Sequence, residues 1–450
     1  MKASPVWVVG AGLAGCEAAW ILAKLGLPVT LQEMKPAFYS PAHSLEGPAE
    51  LVCSNSLKSD AEDTAHGLLK RELRALGSVL LAAADEARVP AGTALAVDRA
   101  VFSRNVSKQL STRPELDMRE GSRMEDPGQA GAEVILTTGP LTDEALADWL
   151  KQAIGPGQEL HFYDALAPII DAESIDRDIV FAGSRWGKGG DDYLNCAMNE
   201  AQYRAFVEAL RQAATTPLHE FEKAKYFESC LPVEVMATRG EEALAFGPMR
   251  PVGFEVDGRR PHALVQLRAE NKEGSAYNLV GFQTKLTQAA QREVLRMIPG
   301  LERCVFLRYG AVHRNLYVNS PEVLDDKLRL HSHPAVRLAG QMIGVEGYME
   351  SAAMGLWVGL LVGAERLGID LPEPPPETAL GALWAHVRGR LGAPRYEPMN
   401  IHFGLLPGIR ERGRKKRREA ALLRAKESFS NWHRLLLEKL PEGAISQGTP

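Results

Sequence analysis

The sequence predicts an α/β protein: a Rossmann-type parallel sheet interrupted by a smaller inserted α+β domain. Three observations point there. A strand–glycine turn–helix–strand unit fills the first 33 residues, a second glycine-rich turn follows a buried-strand run more than 300 residues later, and a stretch of different character lies between them. At 450 residues the chain is also too long for one hydrophobic core, so two domains are expected.

The elements follow in order. Val6-Trp7-Val8-Val9 is an apolar run of the fully buried strand type, and an apolar helix is expected from about Leu13 to Leu25, closed by Gly26. A second strand, Val29 to Leu31, ends at Glu33. Residues 37 to 60 read as loop, 61 to 86 and 99 to 112 as helical, and the polar, proline- and glycine-broken stretch 113 to 131 as a surface excursion. Val134-Ile135-Leu136 is another buried strand. From about 196 to 305 mixed strands and helices with many charges, among them Arg250, Arg259, Arg260, Arg268 and Lys272, mark the inserted domain. Residues 1–195 and 306–450 then form one discontinuous domain, resuming with Val336 to Ala339, a glycine turn and a helix through about Leu367. Four prolines between Leu371 and Pro376 make a stiff linker before a basic C-terminal segment.

Gly10-Ala11-Gly12-Leu13-Ala14-Gly15 is the dinucleotide fingerprint in its required context, after a strand and opening a helix. The first glycine makes the tight turn, the second lets the backbone approach a pyrophosphate, and the third permits close helix–strand packing. Amide N–H groups at the helix start meet the phosphate charge. Glu33, 23 residues after Gly10, is placed to accept from both ribose hydroxyls. The second cluster is Gly340-Gln341-Met342-Ile343-Gly344-Val345-Glu346-Gly347, and the helix after it carries Gly355, Gly359 and Gly363 at fourfold spacing. That spacing serves helix packing by itself. The preferred reading is that Gly340, Gly344, Glu346 and Gly347 also wrap the flavin end of FAD, because two distant glycine turns on one sheet suit a longer cofactor than NAD.

Composition excludes several classes. With 45% hydrophobic and 24% charged residues the chain is ordinary globular protein, and a net charge of −5 leaves any nucleic-acid contact to a local patch. Five scattered cysteines without a C-x-x-C pair favour neither zinc nor disulfides and fit a reducing, cytosolic setting. The start of the chain resembles a lipoprotein signal only superficially, since glycines interrupt its apolar run. Ala352 to Ala364 is too short to span a bilayer, so no membrane association is expected.

Cys53 stands in a polar loop with Lys58 near enough in sequence to favour a thiolate, and Cys230 stands just before Pro232. Cys16, Cys196 and Cys304 read as inert. Several segments together resemble one family: Gly10 to Ala19, Val52 to Ser59, Thr138 to Thr142, Asp192 to Cys196, Cys230 to Glu234 and Gly344 to Ala353. They are similar, in order and over nearly the whole chain, to the folate- and FAD-dependent tRNA (uracil-5-)-methyltransferases, the TrmFO family. Only the stretch 113 to 131 does not align.

The resemblance implies a glutathione-reductase-like FAD domain and the conversion of a T-loop uridine in tRNA to ribothymidine. It implies 5,10-methylenetetrahydrofolate as one-carbon donor and NADH or NADPH as reductant. It also assigns two thiols, Cys230 as the nucleophile at uracil C6 and Cys53 as the acid–base group, although the residues themselves leave those roles interchangeable. A tRNA partner gives meaning to Arg410 to Lys426, with nine Lys or Arg against two Glu, preceded by Arg388, Arg390 and Arg395. His313 could lie near flavin or folate, but a satisfied structural histidine is the preferred reading. Three other readings compete. The related wobble-uridine flavoproteins (GidA/MnmG) are longer. The flavin disulfide reductases need a second cysteine where Lys58 stands. A flavin-containing tRNA-binding factor would need neither thiol.

Overall fold

The computed structural model describes residues 4–187, 190–217, 231–392 and 395–447. A five-stranded sheet runs in the order Val336–Leu338, Val134–Leu136, Val6–Val9, Val29–Gln32, Leu116–Arg119, with every pair parallel. Val134–Leu136 and Val336–Leu338 are buried along their whole length, as a sheet covered on both faces requires. Helix Leu13–Lys24 crosses from the first strand to the second, and Gly26 follows with φ +76°.

The second glycine-bearing helix, Tyr348–Leu367, lies directly on the first. A Cβ at Gly355 would sit 2.1 Å from the Ala14 carbonyl oxygen, so the two backbones approach closer there than any side chain allows. The fourfold glycine spacing is thus spent on packing this helix against Leu13–Lys24.

The expected surface excursion is partly wrong. Leu116–Arg119 is the edge strand of the main sheet, paired in register with Val29–Gln32. Its alternate residues are exposed, which removed the apolar run by which a buried strand is recognised. The helical stretch 61–86 is two helices, Ala65–Ala75 and Val79–Glu86, parted at Gly77 with φ +79°. The loop 37–60 contains a short strand, Ser56–Ser59, paired with Ala94–Val97.

A second, antiparallel sheet has the order Phe181–Ala182, Tyr193–Met198, Ala263–Ala269, Ala276–Leu279, Ile169–Asp171, Phe306–Arg308. Its own core gathers Tyr203, Phe206, Val265, Leu267 and Phe282 beneath helix Glu200–Gln212. Two of its strands lie before residue 196, Tyr193–Met198 straddles that boundary and Phe306–Arg308 lies beyond 305, so the sheet outruns the expected span 196–305. We propose domain boundaries near 166 and 310, where a two-stranded ladder, Glu159–Ala165 with Val312–Val318, joins the two sheets.

The C-terminal helix Arg414–Lys439 docks on the first domain through Phe429, Trp432 and Leu436. Trp432 donates to the Pro372 carbonyl at 2.9 Å, which fastens the proline linker under it. Among the described residues no helix is long and apolar enough to cross a membrane.

Candidate functional site

Both glycine turns emerge at the carboxyl ends of parallel strands, where ligands bind in open α/β sheets. They also meet. A Cβ on Gly340, at φ +77°, would stand 2.7 Å from the Ala14 Cβ. Within the first turn the glycines divide their work. A Cβ on Gly15 would fall 1.9 Å from the Gly10 carbonyl oxygen, whereas one on Gly12 would meet nothing closer than Thr137 O at 3.9 Å. Gly12 therefore leaves space where a pyrophosphate would approach, and helix Leu13–Lys24 starts there without a side-chain cap. Glu33 accepts the Ala11 N–H at 2.7 Å and the Lys35 N–H at 3.0 Å. Lys35 in turn donates to the Gly47 carbonyl at 2.8 Å, laying the following loop along the turn. The open space at Gly12 and the acid held beside it fit this cradle to a dinucleotide. A cavity of about 680 Å³ opens beside it, lined by Met34, Phe38, Tyr39, Arg123, Pro140 and Lys151.

The second turn is braced from behind. Tyr396 donates to the Ile343 carbonyl, His386 contacts the Gly344 carbonyl at 3.1 Å, and Glu346 N–H donates to the Met399 carbonyl at 2.9 Å. Gly347, at φ +115°, precedes helix Tyr348–Leu367, which also lacks a side-chain cap. Both helix starts therefore have backbone N–H groups without a side-chain cap.

The Cys53 loop is pinned to this second turn. The Tyr348 hydroxyl accepts the N–H of Cys53 at 2.7 Å and of Ser54 at 3.1 Å. Cys53 is half-buried, and its Sγ donates to Asp164 Oδ2 at 3.2 Å. Burial pushes this thiol well above its ordinary range, and the charge and hydrogen bond of Asp164 push the same way. The expectation that Lys58 favours a thiolate is therefore wrong. Lys58 serves Glu350 instead: burial alone would raise that carboxyl, but the Lys58 charge and the His66 contact hold it down to about 2.

Around Cys53 the two sheets exchange polar contacts. Arg99 binds Glu270 at 2.8 Å and the Leu51 carbonyl at 2.8 Å, while Asn55 accepts from Arg268 at 2.9 Å. His313 lies opposite Asp164 on the joining ladder. Its Nε2 is buried without a hydrogen-bond partner among the described residues, so it is not the satisfied histidine expected. Burial lowers its pKa, which leaves the neutral ring with a nitrogen for a ligand.

Cys230 lies outside the described residues. The described chain resumes at Leu231. Val233 N–H donates to the Gln283 carbonyl at 2.7 Å, and Thr284 N–H donates to Leu166 O at 3.2 Å, two residues from Asp164. Cys16, Cys196 and Cys304 are buried in the cores, with thiols raised by that burial. Sequence reasoning missed Asp164, Tyr348, Arg99 and Arg308. Only Tyr348 lay within a recognised segment; Asp164 and Arg308 stand on paired strands, and Arg99 opens a helix.

The basic run begins helix Arg414–Lys439. Arg414, Lys415, Lys416 and Arg417 are exposed, whereas Arg418 turns inward to Asp63 at 3.4 Å and over the Phe403 ring. Ile401 N–H, two residues before Phe403, donates to Glu350 at 3.1 Å. Arg418 thus ties the start of this helix to the segment that contacts Glu350. Arg388 and Arg390 do not join them, because Glu373 and Asp326 neutralise both.

The family model of glucose inhibited division protein A (GidA) matches residues 5–370. A methylenetetrahydrofolate–tRNA-(uracil-5-)-methyltransferase TrmFO of Nitratidesulfovibrio vulgaris is 51% identical over 433 residues, covering 94% of this chain and 90% of that protein. The TrmFO of Geobacter sulfurreducens is 50% identical over 431 residues, covering 95% and 98%. Among solved structures, Aquifex aeolicus GidA superposes with a TM-score of 0.65 at 17% identity, covering 99% of this chain and 74% of that one, a likeness of fold.

Proposed function

Because this chain belongs to the GidA family and within it to the TrmFO group, we infer that it methylates uracil C5 in tRNA with methylenetetrahydrofolate as one-carbon donor. The single observation that carries this reading is identity near 50% across nearly the whole of both chains.

FAD is held across the two glycine turns, its adenosine end toward Gly10–Gly15 and Glu33 and its ring toward Gly340, Gly344, Glu346 and Gly347. When bound it supplies the hydride that reduces the one-carbon unit to methyl, and NADH or NADPH restores it. The rest falls to side chains. Uracil C5 is a poor nucleophile until a thiolate adds at C6, which we assign to Cys230. The C5 proton must then leave to a base, which we assign to Cys53. The tRNA lies along the exposed start of helix Arg414–Lys439, and the target is the T-loop uridine. Free thiols at Cys16, Cys53, Cys196 and Cys304 fit work in a reducing cytoplasm.

The test is methyl transfer to an unmodified tRNA transcript. T-loop ribothymidine should form only with methylenetetrahydrofolate and NADH or NADPH both present. A product at the wobble uridine instead, or no product under those conditions, overturns the reading.

A further inference from the structure

We propose that Asp164 is a positioning residue for Cys53 and that the pair, rather than the thiol alone, handles the C5 proton. The proposal rests on the assignment of Cys53 as the acid–base group.

The geometry is specific. The Cys53 backbone is clamped from one side by Tyr348, and its sulfur is drawn to the other side by Asp164 Oδ2 at 3.2 Å. Asp164 lies on Glu159–Ala165, an element joining the two sheets, so neither partner reaches the other by local sequence. Charged and titratable groups face the pair from every neighbouring element: Tyr348 from its helix, Arg99 from helix Arg99–Leu110, Arg308 from the second sheet and His313 from the paired strand. A thiol beside a carboxylate is a poor thiolate but a well-directed proton donor. It acts as a base when that carboxylate takes its proton.

The proton balance is simple. The S–H proton passes to the Asp164 carboxylate, leaving Cys53 as thiolate. The thiolate takes the C5 proton, the C5–H electron pair stays on the ring, and Cys53 returns to thiol. Asp164 then releases its proton to solvent. One proton leaves uracil and one reaches water.

Holoenzyme of the wild type and of Asp164→Asn, Asp164→Glu and Cys53→Ala is compared in two ways. The rate of Cys53 alkylation by iodoacetamide is followed against pH by peptide mass spectrometry, and the rate of tRNA methylation against pH at saturating substrates. In Asp164→Asn the alkylation midpoint should fall by about one pH unit, so that the thiolate fraction, and with it the alkylation rate at pH 8, rises about tenfold. Methylation should nevertheless drop by about a hundredfold, because the sulfur is no longer held toward C5 by Asp164, and should climb with pH as more thiolate forms. Asp164→Glu keeps the charge and should keep the high midpoint. Should Asp164→Asn lose its flavin, the glutamate variant decides alone: a midpoint falling to the ordinary thiol range with the carboxylate retained overturns the proposal. So do profiles of Asp164→Asn that overlay the wild type while Cys53→Ala is inactive. Full activity in Cys53→Ala would instead remove the assignment on which the proposal rests.

Discussion

The Glu33 carboxylate accepts the backbone N–H of Ala11 at 2.7 Å, so the acid ending the second strand is tied to the middle of the first glycine turn. The acid ending the second strand and the first glycine turn are thereby one rigid unit.

That unit separates two substitutions that look alike in sequence. Gly12→Ala has space and an ordinary φ of −73°, so the protein should fold with wild-type stability yet lose most of its FAD. Gly15→Ala drives a methyl into the Gly10 carbonyl and should cost fold as well as flavin. Thermal unfolding and the visible flavin absorbance of the purified proteins check both, and the wild type should be yellow with non-covalent FAD. A Gly12→Ala protein with full flavin would remove the pyrophosphate from that position.

Cys230→Ala and Cys53→Ala should fail at different steps. tRNA bearing 5-fluorouridine at the target should attach covalently to wild type, since fluorine does not leave as a proton does. Cys230→Ala should form no adduct while keeping its flavin, and Cys53→Ala should attach but not turn over normal tRNA. A denaturing gel reads this directly. Adduct in Cys230→Ala and none in Cys53→Ala would exchange the two roles.

Charge reversal of Lys415, Lys416 and Arg417, the exposed cations of the C-terminal helix, should weaken tRNA binding and flatten its salt dependence. Arg418 is spared because it holds Asp63. FAD content should not change. Equal affinity and equal salt slope in the variant would make this run a solvated helix face.

Glu17 predicts a pH dependence of stability. It is fully buried and accepts from Ser78, Val79 and Leu80 at the start of helix Val79–Glu86, and burial raises its pKa to about 7 against an ordinary 4.5. Between those values the unfolded chain ionises while the folded one keeps its proton. Stability therefore falls as pH rises from 4.5 to 7, by an upper bound on the order of 3 kcal/mol, and this contribution is level on either side. Glu17→Gln should remove that slope in urea unfolding at pH 5 and pH 8. A slope identical to wild type would show that Glu17 ionises normally.

Elements marked by a local pattern were legible. Val6–Val9, Leu13–Lys24, Val134–Leu136 and Tyr348–Leu367 stand where apolar runs and glycine turns place them. Leu116–Arg119 was not legible, because an edge strand needs no continuous apolar run and its hydrogen bonds come from a neighbour over 80 residues away. Lys58 misled for a related reason. Nearness to Cys53 in sequence says nothing of where a long side chain delivers its charge, and here that is Glu350.

By itself, then, the sequence determined the parallel-sheet fold, the two glycine turns and the two thiol segments, since each is written in residues a few positions apart. The tertiary structure alone decided what surrounds Cys53. Tyr348 reaches it across 295 positions and Asp164 across 111. Such pairs form only when helices and strands fix their directions, and burial then sets their protonation, which no short segment encodes.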